Sequence, residues 1–381
     1  MATETAQSTF KNSKQFVLYL AFELSQSKWM LGFTIGIGQN PRVRTVTARD
    51  LGALQWEIRK ACQRFGLPEN TPVLSCYEAG RDGFWLHRFL HTQGVANLVV
   101  DSASIEVNRR MKRAKTDRLD VGKLLTMLMR YHMGERKVWR VVTVPDAKAE
   151  DRRHLHRELA NLKVERTRHV NRIKGLLAGQ GVSIPVEAEF LDRLGAVRLW
   201  DGSSLPGGLY ARLVHEYYRI QLLNQQIHEQ ESHRREALRT SQRSDIQQVR
   251  QLMGLQGIGV NSAWLFVMEF FSWRAFRNRR EVGALAGLTS TPYQSGGTSQ
   301  EKGISKAGNR HVRAIVIEIA WSWLRFQPDS KLSRWYQRRF GHGSSRVRRI
   351  GIVALARKLL IELWRYLETG IPPEGAVLQP Q

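Results

Sequence analysis

Cysteine is nearly absent. Cys62 and Cys76 are the only two, and neither lies in a CxxC pair. That argues against a disulfide framework and against a cysteine-based zinc site. Long apolar runs are missing as well: the longest, Ala314 to Phe326 and Ile350 to Trp364, are too short and too charged to span a bilayer. The first stretch, Met1 to Lys14, is polar and lacks an apolar h-region, so no secretory signal is read there. Eleven histidines are scattered without metal-like spacing, and no internal repeat recurs. A soluble, reduced, cytoplasmic protein, nucleoid-associated and prokaryotic, is the expectation.

Acids are also in short supply, with 34 Asp+Glu against 59 Lys+Arg, a formal net charge of +25 and a pI near 10.7. Such a balance points to nucleic acid as the main partner. A basic peripheral membrane protein fits less well, because the positive residues run along the whole chain instead of lining one amphipathic helix. With 381 residues and 42% apolar content, the chain can build two or three cored domains.

The first third reads as α/β. Gln15 to Leu24 is a continuous apolar run of strand length, as in a central buried strand. Lys28 to Thr34 and Arg42 to Thr47 follow at short connections and predict an antiparallel meander. Thr47 and Asp50 form a capping-box-like helix start, followed by Leu51, Leu54, Ile58, Cys62 and Phe65 at helical spacing. A strand (Val73 to Tyr77), a helix (about Phe84 to Gln93) and a strand (Asn97 to Val100) come next. A basic loop, Asn108 to Lys115, precedes a helix starting near Thr116. The order of three strands, helix, strand, helix, strand, helix matches the ribonuclease-H/RuvC-like fold, an analogy at the level of fold.

Residues 147–245 change character. Ala149 to Gly179 and Leu209 to Arg239 are long and charged, with apolar residues at three- and four-residue spacings such as Leu155, Leu159, Leu162 and Leu213, Tyr217, Ile220. A Gly/Pro-rich turn region around Gly202 to Gly208 separates them, so an antiparallel helical hairpin or coiled coil is expected. Residues 246–381 read as mostly helical, with one Gly/Ser-rich loop and a disordered tail after Pro372. The expected domains are thus 1–146, 147–245 and 246–381.

Four acids fall where a small α/β nuclease domain would hold metal ions: Glu23 and Glu78 at strand ends, and Asp117 and Asp120 at i, i+3 on one helix face. Like charges about 4 Å apart repel by roughly 4 kcal/mol at an effective dielectric near 20, so such a cluster takes up protons or a cation. Hard oxygen ligands suit Mg²⁺ or Mn²⁺, and two such ions can clamp both oxygens of an in-line phosphoryl displacement. The plainer reading makes Asp117 a helix cap and Asp120 a partner of Arg118 or Lys123. Asp101, just after a strand, is a spare candidate.

Three further constellations carry chemistry. Gly254-Leu-Gln-Gly-Ile-Gly259 resembles a helix-hairpin-helix turn, whose N–H groups (Gly257, Gly259) grip a nucleic-acid backbone; a loop needing glycine dihedrals is the other reading. In Leu288 to Asn309, Ser295 precedes Gly296 and Gly297, and Lys302, Lys306, Arg310 and Arg313 follow, suited to phosphate oxygens and developing negative charge. The block reads either as a phosphate-contacting loop or as a serine nucleophile, and spacing alone leaves Ser290, Ser299 and Ser305 open. Finally, Arg334 to Arg339 and Arg346 to Arg349 interleave with Trp335, Tyr336 and Phe340, a mixture that fits RNA or single strands. Trp321, Trp323 and Trp364 read as core.

Several of these segments resemble one family. Lys115-Thr-Asp-Arg-Leu-Asp120 is similar to the KTDxxDA element of the DEDD transposases of insertion-sequence family one-ten, relatives of Piv-type DNA invertases. Leu252 to Gly259 resembles their iPGIG turn, Phe276 through Thr289 their "rF…aGL.P" stretch, and Pro292 to Asn309 their "SGG…isK.Gn" block. The resemblance runs from about Phe16 to Gly370. It implies a RuvC-like domain with Glu78, Asp117 and Asp120 as metal ligands, and Ser295 as a nucleophile forming a covalent phosphoserine link to DNA. It further implies a structured bridge RNA pairing with donor and target DNA, and homodimers meeting as tetramers with half-sites that complete each other. Two positions depart from the pattern: Glu23 stands where the family has Asp, and Gln256 replaces the proline of the turn. Beside the recombinase reading stand a structure-selective RuvC/RNase-H-like nuclease, which leaves the Ser295 block unexplained, and a catalytically decayed nucleic-acid-binding copy, which Glu23 keeps open.

Overall fold

The computed structural model describes residues 16–105, 117–295 and 298–379, without the side chains of residues 292–302. The expected basic loop Asn108 to Lys115 therefore lies outside the described residues, as do Gly296 and Gly297. The chain forms two units, one ending at Val144 and one starting at Pro145.

The first unit is built on five strands: β1 (Leu18–Leu24), β2 (Lys28–Thr34), β3 (Arg42–Thr47), β4 (Val73–Glu78) and β5 (Ala96–Val100). Their order across the sheet is β3-β2-β1-β4-β5. β1, β2 and β3 pair antiparallel as a meander, whereas β4 and β5 run parallel to β1. The apolar run of β1 is continuous because both its faces are covered. Leu18, Leu20 and Phe22 pack with Leu54 of helix α1 (Leu51–Arg64) and Leu86 and Leu90 of α2 (Trp85–Thr92). Tyr19 and Ala21 face the other way, against Val121, Leu124 and Leu128 of α3 (Asp117–His132). The capping box is corrected: Asp50 itself is the N-cap of α1, accepting from the Ala53 amide at 2.9 Å, and Thr47 belongs to β3.

Gly32 sets how closely α3 approaches the sheet. A Cβ there would run into Val121 Cγ1 and stand 2.9 Å from Leu125 Cδ1. Gly32→Val is therefore expected to push α3 off β2 and cost about 1–3 kcal/mol of stability. Urea unfolding checks this, and an unchanged midpoint would refute it.

The second unit opens with a helical hairpin, α4 (Ala147–Ala178) and α6 (Gly207–Thr240). Partners descend along one helix as they ascend the other: Lys163 with Glu231, Arg166 with Asn224, His169 with Glu216. The hairpin is thus antiparallel, as its spacing predicts. Leu159, Leu162, Leu223 and Ile227 form one layer of its seam. Leu155, from the same periodic set, is instead half exposed. Between the two arms, ahead of the Gly202 to Gly208 turn, lies a short helix, α5 (Phe190–Gly195), whose Phe190 packs against Tyr217.

Beyond it, α7 (Ser244–Met253), α8 (Val260–Phe266), a π-helical turn (Val267–Phe271), α9 (Arg279–Leu285), α10 (Arg310–Phe326), α11 (Lys331–Tyr336) and α12 (Ser345–Thr369) enclose a core that includes Phe266, Phe270, Trp323, Leu355 and Leu359. Four expectations change here. The Gly/Ser-rich loop is a β-ribbon, β6 (Ser290–Ser295) paired antiparallel with β7 (Thr298–Ile304). The tail is held in place: Gln256 N–H donates to Val377 O at 3.1 Å, Gln379 N–H donates to Gly254 O at 2.7 Å, and the Gln327 side chain bridges Gln256 O and Val377. Trp321 is half exposed, while Trp323 is fully buried and donates to Ser330 Oγ. Tyr336 is core, its hydroxyl donating to Arg348 O, and cannot stack on a base.

Candidate active site

The four acids lie on one face of the sheet. In the parallel pair β1 and β4, Phe22 stands beside Tyr77, so Glu23 and Glu78 are the next residues in step, both at the strands' carboxyl ends. By the two-residue alternation of side chains, Glu23 lies on the side of Tyr19 and Ala21, and Glu78 on the side of Cys76. That is the face crossed by α3, and Asp117 and Asp120 occupy its first turn. Glu78 contributes to raising the thiol pKa of Cys76, whose burial is the larger cause. Glu78 and Asp117 are exposed and Glu23 and Asp120 half-buried.

A carboxylate-only donor set has the hard-oxygen chemistry that Mg²⁺ or Mn²⁺ takes. Among the described residues, however, no three His, Cys, Asp or Glu side chains lie close enough together to hold an ion. The two pairs share a face without closing into one coordination sphere. The spare candidate Asp101 is otherwise engaged, capping a 3₁₀ turn through the Ala103 amide at 3.1 Å.

In the second unit, Ser295 is the last residue of β6, beside Thr298 across the ribbon. Its side chain, and those of Ser299 and Lys302, lie outside the described residues. The root of the ribbon is a backbone interlock. Ser305 N–H donates to Thr289 O, Lys306 N–H to Gly287 O and Asn309 N–H to Leu285 O. A Cβ on Gly308 would collide with Leu285 O, and one on Gly287 would meet Arg313 Nη1 at 2.5 Å and the Lys306 carbonyl carbon at 2.9 Å. Both glycines also hold positive φ, 69° and 141° respectively for Gly287 and Gly308. The AGL and SKAGN segments are therefore the two halves of one joint between α9 and α10. Arg313 belongs to it, donating to Ala286 O at 3.2 Å. Lys306 and Arg310 are exposed beside it.

The sequence reading missed Glu269, the hub behind this joint. It is fully buried in the π-helical turn. Arg157 of α4 clamps it through two bonds of 2.7 and 3.0 Å, and Asn309 Nδ2 donates to it at 3.2 Å while Asn309 Oδ1 caps α10. Burial pushes the Glu269 carboxyl up, but Arg157, Asn309 and Arg153 outweigh it and hold the pKa below its ordinary value. The signal was a lone acid inside the apolar run Leu265 to Phe271. Nearby, His156 Nδ1 accepts from the Arg234 guanidinium, which can only donate, at 3.0 Å. Burial, then Arg234, hold its pKa down to about 4; Glu269 opposes, while His311 and Arg157 add to the shift.

These shifts set an acid limit. The unfolded chain protonates His156 below its ordinary 6.5 while the folded unit does not until about 4, so stability falls as pH drops through that window, on the order of 3 kcal/mol in all. Glu269 adds a further loss below the usual glutamate range. His156→Gln should flatten the fall between pH 6.5 and 4 in urea midpoints; an equally steep fall would refute the assignment.

The helix-hairpin-helix-like turn is only partly available to a ligand. Gly257 has φ +87° and packs against Phe326, and the Gln256 amide is taken by the tail. Gly259 is the N-cap of α8 and open to a Cβ. Among the described residues no helix is long and apolar enough to cross a membrane.

Comparison with known proteins identifies the family. Residues 249–336, from α7 through the ribbon to α11, match the model of the "Transposase IS116/IS110/IS902 family". The "Putative transposase y4rJ" of Sinorhizobium fredii is 41% identical over 377 residues, covering 95% of this chain and 94% of that protein. The "Transposase for insertion sequence element IS1328" of Yersinia enterocolitica is 28% identical over 212 residues, 55% of this chain and 60% of that protein. The "Probable family 20 transposase" of Pseudomonas aeruginosa is 28% identical over 233 residues, 60% of this chain and 66% of that protein. The chain belongs to the IS116/IS110/IS902 family and is an insertion-sequence transposase.

Proposed function

We propose that the protein is a DNA recombinase that cuts and exchanges strands through a covalent phosphoserine intermediate, using a RuvC-like acidic site and a bridge RNA. The observation that carries the first part is that Glu23 and Glu78 stand in step at the ends of neighbouring strands, on the sheet face crossed by the helix whose first turn holds Asp117 and Asp120, in a sheet ordered β3-β2-β1-β4-β5. That strand order, with three antiparallel strands followed by two parallel ones, supports a ribonuclease-H-like reading. The four carboxylates would hold Mg²⁺ or Mn²⁺, which would supply charge neutralisation on the phosphate and on the leaving oxygen.

The residues of the chain do the remainder. The Ser295 hydroxyl attacks phosphorus; the new bond is Oγ–P, the bond that breaks is P–O to one sugar, and that sugar leaves as a hydroxyl carrying the proton. One ester replaces another, so the link can be reversed by a second strand's hydroxyl. The Gly287–Gly308 joint fixes the root of the ribbon that ends in Ser295. Lys302, Lys306 and Arg310 would bind phosphate oxygens, with Arg313 holding the joint. Donor and target DNA are the substrates, and the bridge RNA and the homodimer, tetrameric when two complexes synapse, follow from the family resemblance. Exposed Leu155, Val164, Tyr218 and Leu222 on the hairpin suit contact between copies.

Strand cleavage of element-junction DNA with Mg²⁺ and the RNA encoded beside the gene tests the proposal. Metal-dependent nicks that require the acids support it. Binding without any cleavage would favour a disabled copy, in which Glu23, one methylene longer than the usual aspartate, holds its carboxylate out of reach. Restoration by Glu23→Asp would then locate the defect.

A further inference from the structure

A cleft of about 1330 Å³ opens at the root of the β6–β7 ribbon, between that root, α9 and α12. Its rim is cationic: Arg279, Arg280, Lys306, Arg346, Arg349 and Arg357 line it. Lys358 lines it too, its ammonium 4.7 Å from the centre of the Trp335 ring. Among the described residues no Asp or Glu lines it. Apart from Ser290 and Ser345, the remaining lining is largely apolar, with Leu288, Ile304, Trp335, Ile350, Val353 and Ile361. Ile350 is 57% exposed although it sits in the middle of this lining.

Along α12 the two characters alternate on one face. Arg346 and Arg349, then Arg357 and Lys358, bracket Ile350, Val353 and Ala354. From Arg346 to Arg357 the helix rises roughly 16 Å, enough for several nucleotides stacked about 3.4 Å apart. A glycine keeps the rim arginine in place: a Cβ at Gly283 would come within 2.9 Å of Arg357 Nε.

We infer that this cleft holds an unpaired DNA strand, with its phosphates on the arginines and its base faces against Trp335 and Ile350; the inference rests on the recombinase reading above. A duplex hides its base faces in the stack and offers only edges in its grooves, so an apolar floor would gain nothing from it. A single strand offers both phosphates and π-faces, the pair of chemistries that the cleft presents together. The seven cations of the described lining suit a polyanion better than a peptide of mixed charge. DNA, rather than RNA, is assigned because the ribbon rooted at Ser290, Gly303 and Ile304 leads directly to Ser295. The cleft thus receives the strand next to the phosphate under attack after its base has left the helix.

The test is binding of the full chain, without metal, to a labelled single-stranded DNA oligonucleotide, to its duplex and to RNA of the same sequence. Arg346→Ala with Arg349→Ala should weaken single-strand binding roughly tenfold or more and lower its salt slope. Ile350→Ser should weaken single-strand binding with the salt slope unchanged, and leave duplex binding intact. Equal losses for single strand and duplex would overturn the inference in favour of a general phosphate surface. A larger loss for RNA than for DNA would assign the cleft to RNA and overturn it as well. Because no cleavage is read, a failed nuclease assay with these binding losses intact would sink the catalytic reading alone.

Discussion

Asp120→Ala is expected to lower strand cleavage by on the order of 10³-fold or more, because several kcal/mol of charge stabilisation leaves with the ligand. Nucleic-acid binding should be retained or slightly tightened, since the substitution removes a negative charge facing a polyanion. Folding should survive: an acid in the first turn of a helix contributes about 0.3–1 kcal/mol through the helix dipole, and Asp120 lies outside the packed apolar face formed by Val121, Leu124 and Leu128. Cleavage assays with Mg²⁺, beside circular dichroism and a binding titration, separate these effects. Cleavage at the wild-type rate would remove Asp120 from the site, and with it the assignment of that sheet edge.

Ser295→Ala should eliminate any covalent protein–DNA adduct rather than reduce it, because the nucleophilic oxygen itself is gone. The structural cost is small. Ser295 ends a strand held from its other end by the Gly287–Gly308 joint, and alanine is compatible with extended backbone. Intact mass measurement of trapped complexes, followed by peptide mapping, reads both the loss and the attachment point. An adduct that persists in the variant would move the nucleophile to Ser290, Ser299 or Ser305. Of these, Ser290 lines the cleft at the ribbon's root and Ser305 is bonded through its backbone to Thr289.

Much of the first unit, and the hairpin of the second, was legible because burial writes itself into composition. β1 is buried on both faces and reads as an unbroken apolar run; α1 and the two hairpin arms bury one stripe each and read as periodic. Glu23 and Glu78 stood out for a related reason: each is an acid near the end of a strand whose preceding residues are buried. What escaped the sequence is held by backbone and by single polar contacts, which leave no periodicity. The ribbon strands, STPYQS and TSQEKGI, are polar and nearly patternless, and they pair because the glycine joint brings their ends together. The tail after Pro372 packs through three residues' main-chain bonds and one glutamine, Gln327. Tyr336 looked like a stacking residue among arginines, yet its ring is core and only its hydroxyl reaches polar atoms.

Glu269 illustrates a different limit. Its isolation among apolar residues was visible, but its partner Arg157 lies 112 positions away on the hairpin, and no local pattern connects the two. Gly287 and Gly308 were visible as members of a motif, while their purpose, a crossing of two backbones too close for any Cβ, belongs to the fold. The Gly254–Gly259 turn carried two readings, a phosphate grip and a loop needing glycine dihedrals; the tail's claim on the Gln256 amide could only be seen in three dimensions.

One measurement bears most directly on the central claim: a denaturing-gel trap for protein–DNA adducts on element-junction DNA with Mg²⁺ and the neighbouring RNA, comparing wild type with Ser295→Ala. An adduct in the wild type that vanishes in the variant is the predicted result. Cleaved DNA with no adduct in either protein would contradict the account and leave a hydrolytic nuclease built on the four acids alone.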